Sequence, residues 1–319
     1  MAPKLINMDR DVMRSHSKTK TTLIDAVTHY AERANLPAVF VEEFMREYAP
    51  LLAHLAVLAK TRAYAPIIGL SGCQGSGKST LAQLFEQLLQ DCFGLHCAAL
   101  SLDDVYLTRQ QRETLAQDVH PLFSTRGVPG THDIALLTTV LDDLQHRSGT
   151  IRLPRFNKAE DERTILAHWP QFSAPADIII LEGWCLGVSP QSPDALMEPI
   201  NHLESEQDPE GVWRQAINNA LAGPYQALCR RLDALLFLQA PSFDCVFNWR
   251  WQQELALIET DGSAAGQGIM NHDQVSDFIL HFERLTRHAL ASLPKIADGI
   301  WELDEERQVK NTILRGVLL

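Results

Sequence analysis

The sequence predicts an α/β fold: a mostly parallel five-stranded sheet covered by helices on both faces, with an N-terminal helical cap. Three observations predict it. Apolar runs of strand length alternate with stretches of helical period, the pattern of parallel strands buried on both sides. The first run, Ala65-Pro66-Ile67-Ile68-Gly69-Leu70, ends in a glycine-rich loop that opens a helix. Helical patterns also fill the chain ahead of that run, so they are expected to pack onto the main domain as a cap.

Residues 1 to about 18 mix Lys4, Asp9, Arg10, Asp11, Arg14 and Lys18 without a period and read as a loose arm. Their acids and short apolar stretches argue against a secretory signal or a transit peptide. From Thr22, the residues Leu23, Ile24, Ala26, Val27 and Tyr30 recur at helical spacing. A second helical stretch follows Asn35-Leu36-Pro37, with the proline expected in its first turn. It carries Phe40, Phe44, Tyr48, Leu51, Leu52, Leu55 and Leu58, with a kink or break expected at Pro50. Residues 1–60 are thus read as arm and cap, and 61–319 as the main domain. The later strands are Cys97-Ala98-Ala99-Leu100, Ile178-Ile179-Ile180-Leu181, Leu235-Leu236-Phe237-Leu238 and Gly299-Ile300-Trp301-Glu302-Leu303. Helical patterns such as Leu81 to Leu89 and Ile134 to Leu144 lie between them. Val188 to Glu210, rich in Pro, Ser, Glu and Asp, reads as a surface excursion.

A chain of 319 residues, 45% hydrophobic, has apolar material for a full core without staples. Its 28 Lys and Arg against 40 Asp and Glu leave a formal net charge of -12. That disfavours gripping nucleic acid by bulk charge, and no basic stripe interleaved with aromatics is present. No apolar run of ~18 residues is present, so no membrane partner is expected. The six cysteines, Cys73, Cys92, Cys97, Cys185, Cys229 and Cys245, form no Cys-x-x-Cys pair. They read as the scattered thiols of a reducing compartment, and the cytoplasm is the expected location. Monomer and homodimer both stay open.

The segment Gly72-Cys73-Gln74-Gly75-Ser76-Gly77-Lys78-Ser79 fits G-x-x-x-x-G-K-[ST] and sits between a strand and the helix beginning at Thr80 and Leu81. Glycines let successive N–H groups turn toward phosphate oxygens, and the helix N-terminus adds partial positive charge. Gly72 to Ser79, with Thr80, form the expected binding set for a nucleoside triphosphate. Lys78 should reach the β- and γ-phosphates, and the Ser79 hydroxyl should ligate Mg²⁺. Cys73, lying among converging N–H dipoles, is expected to be an oxidant-sensitive thiol unless its side chain points away from the phosphates.

Ligands of open α/β sheets gather at the carboxyl ends of the strands. The second strand exits as Ser101-Leu102-Asp103-Asp104-Val105-Tyr106, where a carboxylate could orient and deprotonate an incoming hydroxyl, or merely cap a turn. The third exits as Leu181-Glu182-Gly183-Trp184, an acid placed to orient Mg²⁺. Between them, Ser124 to Asp133 is rich in turn residues and closes on a helix, with Thr131 the expected N-cap and with Arg126 and His132 as donors. Pro154 to Arg163 is a dense mixed-charge patch, the usual composition of a solvated face.

Four of these stretches together resemble the P-loop kinases of the uridine kinase, pantothenate kinase and phosphoribulokinase superfamily: the phosphate loop, residues 101–106, 126–133 and 181–184. Arg126-Gly127-Val128-Pro129-Gly130-Thr131-His132-Asp133 is most similar to the D-glycerate 3-kinase branch, as are residues 154–159 and Trp249-Arg250-Trp251-Gln252-Gln253-Glu254. The resemblance covers about residues 60 to 315. It implies a P-loop NTPase-type three-layer fold and an ATP-dependent kinase in which Lys78, Asp103, Glu182 and Arg250 are catalytic. Asp103 would be the general base, Glu182 with Ser79 would serve Mg²⁺, and Arg250 would lie on a lid. Asp103, Tyr106, Arg126, His132 and Lys158 would surround the acceptor. For Arg250 the residue spacing alone offers an i,i+4 pair with Glu254 instead. The chain departs from the branch at Asn157, where an Asp is expected.

The expected acceptor is a small hydroxy acid, D-glycerate first. Arg126, His132, Arg155, Lys158 and Arg163 cluster between the base and the metal-side acid, and guanidinium groups suit carboxylates. A nucleoside would want aromatic walls, and the segment offers mainly Phe123 and Phe156. The alternatives are a uridine- or pantothenate-type kinase and a nucleotide-binding regulatory protein with little transfer.

Overall fold

A computed structural model describes residues 23–260 and 270–316. The loose arm expected at the N-terminus lies outside the described residues. Three helices come first: α1 (23–33), α2 (Val39–Glu47) and α3 (Ala49–Thr61). Then follow β1 (Ile67–Gly72), α4 (Lys78–Phe93), β2 (Cys97–Ser101), α5 (Arg109–Asp118) and α6 (Ile134–His146). The middle of the chain adds β3 (Gly149–Arg152), β4 (Phe156–Asn157), β5 (Glu162–Arg163), β6 (Gln171–Ala174) and β7 (Ile178–Gly183). Beyond it come α7 (His202–Gln207), α8 (Val212–Ala220), α9 (Gln226–Cys229), β8 (Ala234–Gln239), α10 (Asp244–Thr260), α11 (His272–Ser292), β9 (Gly299–Leu303) and β10 (Val309–Leu314).

All five expected strands are present, and they form one sheet with a sixth in the order β10-β9-β8-β1-β7-β2. Every neighbouring pair is parallel except β9 with β10. The sheet thus has six strands where the sequence predicted five. The sixth escaped notice because Lys310, Asn311 and Thr312 interrupt its apolar residues, and its register slips between Val309 and Asn311. That is edge-strand composition, with one side open to water. Strands β3 and β6 form a separate antiparallel pair, as do β4 and β5.

Alternation along the central strands divides the core into two layers. Ile67, Ile179, Leu181 and Phe237 face the side of α6 and α11. Ile68, Ile178, Ile180 and Leu236 face α4 and the N-terminal helices. The cap is part of that second layer. Phe44 meets Phe85 of α4 edge-on at 6.2 Å, and Tyr48 stacks on Trp301 of β9 at 5.2 Å. Pro37 precedes α2 by two residues rather than standing inside it, its carbonyl accepting the Phe40 N–H at 2.9 Å. The break expected near Pro50 falls at Tyr48, and the proline occupies the first turn of α3.

The excursion beyond Val188 is anchored by buried charge. Glu204 (1% exposed) takes two bonds from Arg284 at 2.7 and 2.6 Å, and Arg284 also donates to the Ala195 and Glu198 carbonyls. No helix among the described residues is long and apolar enough to cross a membrane.

Candidate active site

The carboxyl ends of β1, β7 and β2 lie side by side, and this alignment builds the site. β1 delivers the chain into residues 73–77, and α4 begins at Lys78. Gly75 and Gly77 have φ of 77° and 88°, the left-handed region that glycine enters without steric cost. A Cβ on Gly75 would stand 2.5 Å from that of Trp249, so this side of the loop is pressed against α10. A Cβ on Gly77 would meet nothing within 4 Å, so the other side is open. Glu182, the fifth residue of β7, is level with Leu70 of β1 and Ser101 of β2. Its Oε1 accepts the Ser79 hydroxyl at 2.9 Å, and its Oε2 lies 3.8 Å from Lys78 Nζ. Glu182 Oε2, Ser76 Oγ and Gln74 Oε1 are buried without hydrogen-bond partners in the described structure. Such groups are costly unless a ligand completes them. An open glycine cradle, a lysine, a hydroxyl and a half-satisfied carboxylate fit a polyphosphate with its cation.

The Cys73 side chain points away from this cradle, into the core layer of α4. Burial pushes its thiol up to about 12, against the smaller lowering effect of Lys78. The expectation of an oxidant-sensitive thiol is therefore corrected: only the backbone of Cys73 is available to a ligand. Alkylation at pH 8 is expected to leave Cys73 unmodified in the native protein and to reach it only after unfolding, as peptide mass mapping would show. Modification on the timescale of an exposed thiol would contradict this burial. Thr80 meets the cap through its carbonyl, which accepts the Tyr30 hydroxyl at 3.2 Å.

Arg307 was not foreseen. It stands at the turn between β9 and β10, donates to the Gly75 carbonyl at 2.6 Å and to Gln252 at 2.8 Å, and lies 5.1 Å over the Trp249 ring. No spacing in the sequence links it to a loop more than two hundred residues away.

At the end of β2 the two adjacent acids do different work. Asp104 accepts the Ser101 N–H at 3.3 Å and Arg155 at 3.2 Å, closing a capping box over the short 3₁₀ turn. Asp103 instead meets Lys158 Nζ at 2.7 Å and the Tyr106 hydroxyl at 2.8 Å. Burial alone would raise its pKa, but the Lys158 and Lys78 ammonium groups outweigh that and hold the carboxyl well below its usual range. Lys158 is raised in turn, chiefly by Asp103.

The segment carrying Arg126 is fixed from behind. The indole N–H of Trp184, just after β7, donates to the Gly127 carbonyl at 2.8 Å. Thr131, fully buried, staples its own loop through Val128 and Gly127, and the N-cap of α6 is Asp133 rather than Thr131. Arg126 pairs with Asp161 and lies 5.6 Å over the Phe156 ring. Asp161 is held independently by the buried Arg112 at 2.8 Å. His132 stacks on Tyr106 with ring centroids 4.6 Å apart.

Two members of the expected basic cluster are spent on structure. Arg155 holds Asp104, and Arg163 holds Asp133 together with the Tyr106 carbonyl. Asn157 Oδ1 accepts the N–H groups of Ala159 and Glu160 at 3.1 and 3.3 Å, a turn-forming task that Asp would perform equally. Arg250 is paired with Glu254 one turn along α10, and among the described residues its hydrogen bonds and ion pairs go to Gln253 and Glu254 rather than to the phosphate loop, Asp103 or Glu182.

A mostly parallel sheet whose strand ends converge on a lysine-bearing glycine loop, with an acid on the neighbouring strand, defines a P-loop nucleotide-binding fold. Residues 67–191 match the Phosphoribulokinase / Uridine kinase family, and the chain belongs to that family as one of its P-loop kinases. It is 32% identical over 227 residues to "Uncharacterized kinase mug58" of Schizosaccharomyces pombe, across 68% of this chain and 78% of that protein. It is 30% identical over 227 residues to the chloroplastic D-glycerate 3-kinase of Arabidopsis thaliana, across 68% of this chain and 46% of that one. A solved D-glycerate 3-kinase from Cryptococcus neoformans shares the fold, with a TM-score of 0.66 and 24% identity over 83% of this chain and 96% of that one.

Proposed function

We propose that the protein transfers the γ-phosphoryl group of Mg²⁺·ATP to a hydroxyl of a small hydroxy acid, D-glycerate first, giving 3-phosphoglycerate. The observation that carries this reading is Asp103: a carboxylate kept ionised beside Lys158 and Lys78, at the mouth of an open phosphate cradle. The relationship to D-glycerate 3-kinase supports the choice of acceptor. Bound Mg²⁺·ATP supplies the phosphoryl group and the cation that offsets its charge. The backbone of residues 72–80 and Lys78 would bind the phosphates, and Ser79 with Glu182 would hold the cation. Asp103 orients the acceptor hydroxyl. As the new O–P bond forms and the bond from the γ-phosphorus to the ADP oxygen breaks, Asp103 Oδ takes the hydroxyl proton. Phosphoryl transfer of this loose kind releases the proton late, so a weakly basic carboxylate suffices.

Arg126 and Lys158 would receive the acceptor's carboxylate. Arg126 can leave Asp161 without stranding it, because Arg112 stays. Tyr106 and His132 would line the pocket, and Arg250 would join only by leaving Glu254. The six unpaired thiols support work in a reducing compartment, the cytoplasm.

The test is ADP production over D-glycerate, uridine and pantothenate. We expect the highest kcat/KM for D-glycerate, and an Arg126→Lys enzyme with KM for D-glycerate raised about tenfold, since a lysine cannot make the forked contact. A preference for uridine, or an unchanged KM in Arg126→Lys, would remove the hydroxy-acid assignment.

A further inference from the structure

The chain leaves α8 through a kinked turn, Leu221–Tyr225, in which Gly223 departs from helical backbone angles just before Pro224. This turn carries the phenol of Tyr225, 2% exposed, to the loop that bears Arg126 and His132. There the Gly130 N–H donates to the Tyr225 hydroxyl oxygen at 3.1 Å, and the same oxygen lies 2.6 Å from His132 Nδ1.

The phenol has one proton to give. Burial keeps it protonated by pushing its pKa well above the ordinary value. Among the described residues, His132 Nδ1 is the acceptor it reaches. Nδ1 is therefore bare, and the ring proton sits on Nε2. The opposite tautomer would bury an O–H without an acceptor and an Nε2 lone pair without a donor. Burial also pulls His132 down to about 4, against the smaller raising effect of Asp103, so the ring is neutral at physiological pH. His132 Nε2 is buried and makes no hydrogen bond in the described structure. One ring away, Tyr106 stacks on this imidazole and donates its hydroxyl to Asp103.

We propose that Tyr225 is a positioning residue for the phosphate acceptor: by donating to His132 Nδ1 it fixes the tautomer whose Nε2–H bonds an oxygen of the acceptor beside the hydroxyl that Asp103 receives. The inference rests on the acceptor reading above and deepens it. The class it selects has a second oxygen close to the reacting hydroxyl, a vicinal hydroxyl or the carboxylate of a hydroxy acid. A donor already oriented by its second nitrogen's partner is not reorganised when the acceptor enters, which is how a fixed dipole gains over water.

The experiment compares the wild type with Tyr225→Phe. Long-range proton–nitrogen correlation spectra of the histidine-labelled, acceptor-free protein read the tautomer directly, with His132→Gln giving the assignment. We expect bare Nδ1 and protonated Nε2 at His132 in the wild type, and loss of that bias in Tyr225→Phe. In the ADP assay Tyr225→Phe should lower kcat/KM for D-glycerate about tenfold while KM for ATP stays put. A protonated Nδ1 in the wild type overturns the proposal, even if Tyr225→Phe fails to fold. So does a Tyr225→Phe enzyme that loses activity with its tautomer intact, or that changes tautomer with kcat/KM intact. If the wild type ignores D-glycerate, the acceptor reading fails separately, and the same comparison is decided with whichever of uridine and pantothenate it phosphorylates.

Discussion

Lys78→Ala is expected to lower kcat about 10²–10³-fold at saturating ATP while the protein melts close to the wild type, because the ammonium acts on charge that develops during transfer. Lys78 is the first residue of α4, and the residues that pin that helix to the sheet are Leu81, Leu84, Phe85 and Leu88, one turn and more beyond it. Its ammonium approaches Glu182 at 3.8 Å and helps hold Asp103 ionised, and Glu182 keeps the 2.9 Å bond from Ser79 when the lysine is gone. Stability therefore has little to lose. Transfer loses the ammonium that stands beside Glu182 in the phosphate loop. A thermal melt and a turnover assay at saturating ATP separate the two effects. Near wild-type turnover would mean that the loop does not serve a transferring phosphate.

The strands and the phosphate loop were legible because they rest on local signals: unbroken apolar runs, and glycines needed where φ is positive. What stayed hidden depended on partners distant in sequence. Asp103 and Asp104 look alike in the chain, and only the fold shows Asp104 spent on Ser101 and Arg155 while Asp103 faces Lys158. Arg155 and Arg163 counted toward a basic pocket by composition, yet both are held by acids of neighbouring turns. Cys73 shows the reverse error, since a helix N-terminus lowers a thiol's pKa only if the sulfur points at the N–H groups, and this one points into the core. Tyr225 and Arg307 carried no signal at all. Each reaches the site from an element that enters late in the chain, and neither belongs to a motif. The edge strand β10 was missed for a different reason, because the exposed Lys310 and Asn311 break its apolar run and read as loop.

Asp103→Asn is expected to cost about 10²–10⁴ in transfer with ATP affinity nearly unchanged, while Asp104→Asn chiefly costs stability. The amide is isosteric and can still accept from Tyr106, but it can neither take the acceptor's proton nor hold Lys158 by charge. Asp104→Asn weakens the capping box and the Arg155 contact, a loss of about 0.5–2 kcal/mol seen in the melt rather than in ATP-saturated turnover. Titration calorimetry with ATP beside the coupled assay distinguishes them, and equal losses of turnover in both variants would leave the base unassigned. The pH profile adds a sign. In the wild type Asp103 stays ionised far into acid, so the acid limb that it contributes lies at very low pH. Lys158 is the largest of the groups holding that carboxyl down against burial. Lys158→Met should therefore raise the Asp103 pKa toward or beyond the usual carboxylate value of about 4, and activity should begin to fall earlier as the pH drops. On the proposed reading, an acceptor that drew Lys158 onto its own carboxylate would leave Asp103 a stronger base as its hydroxyl arrives. An acid limb at the same pH in Lys158→Met and wild type would show that Asp103 is not the group being titrated.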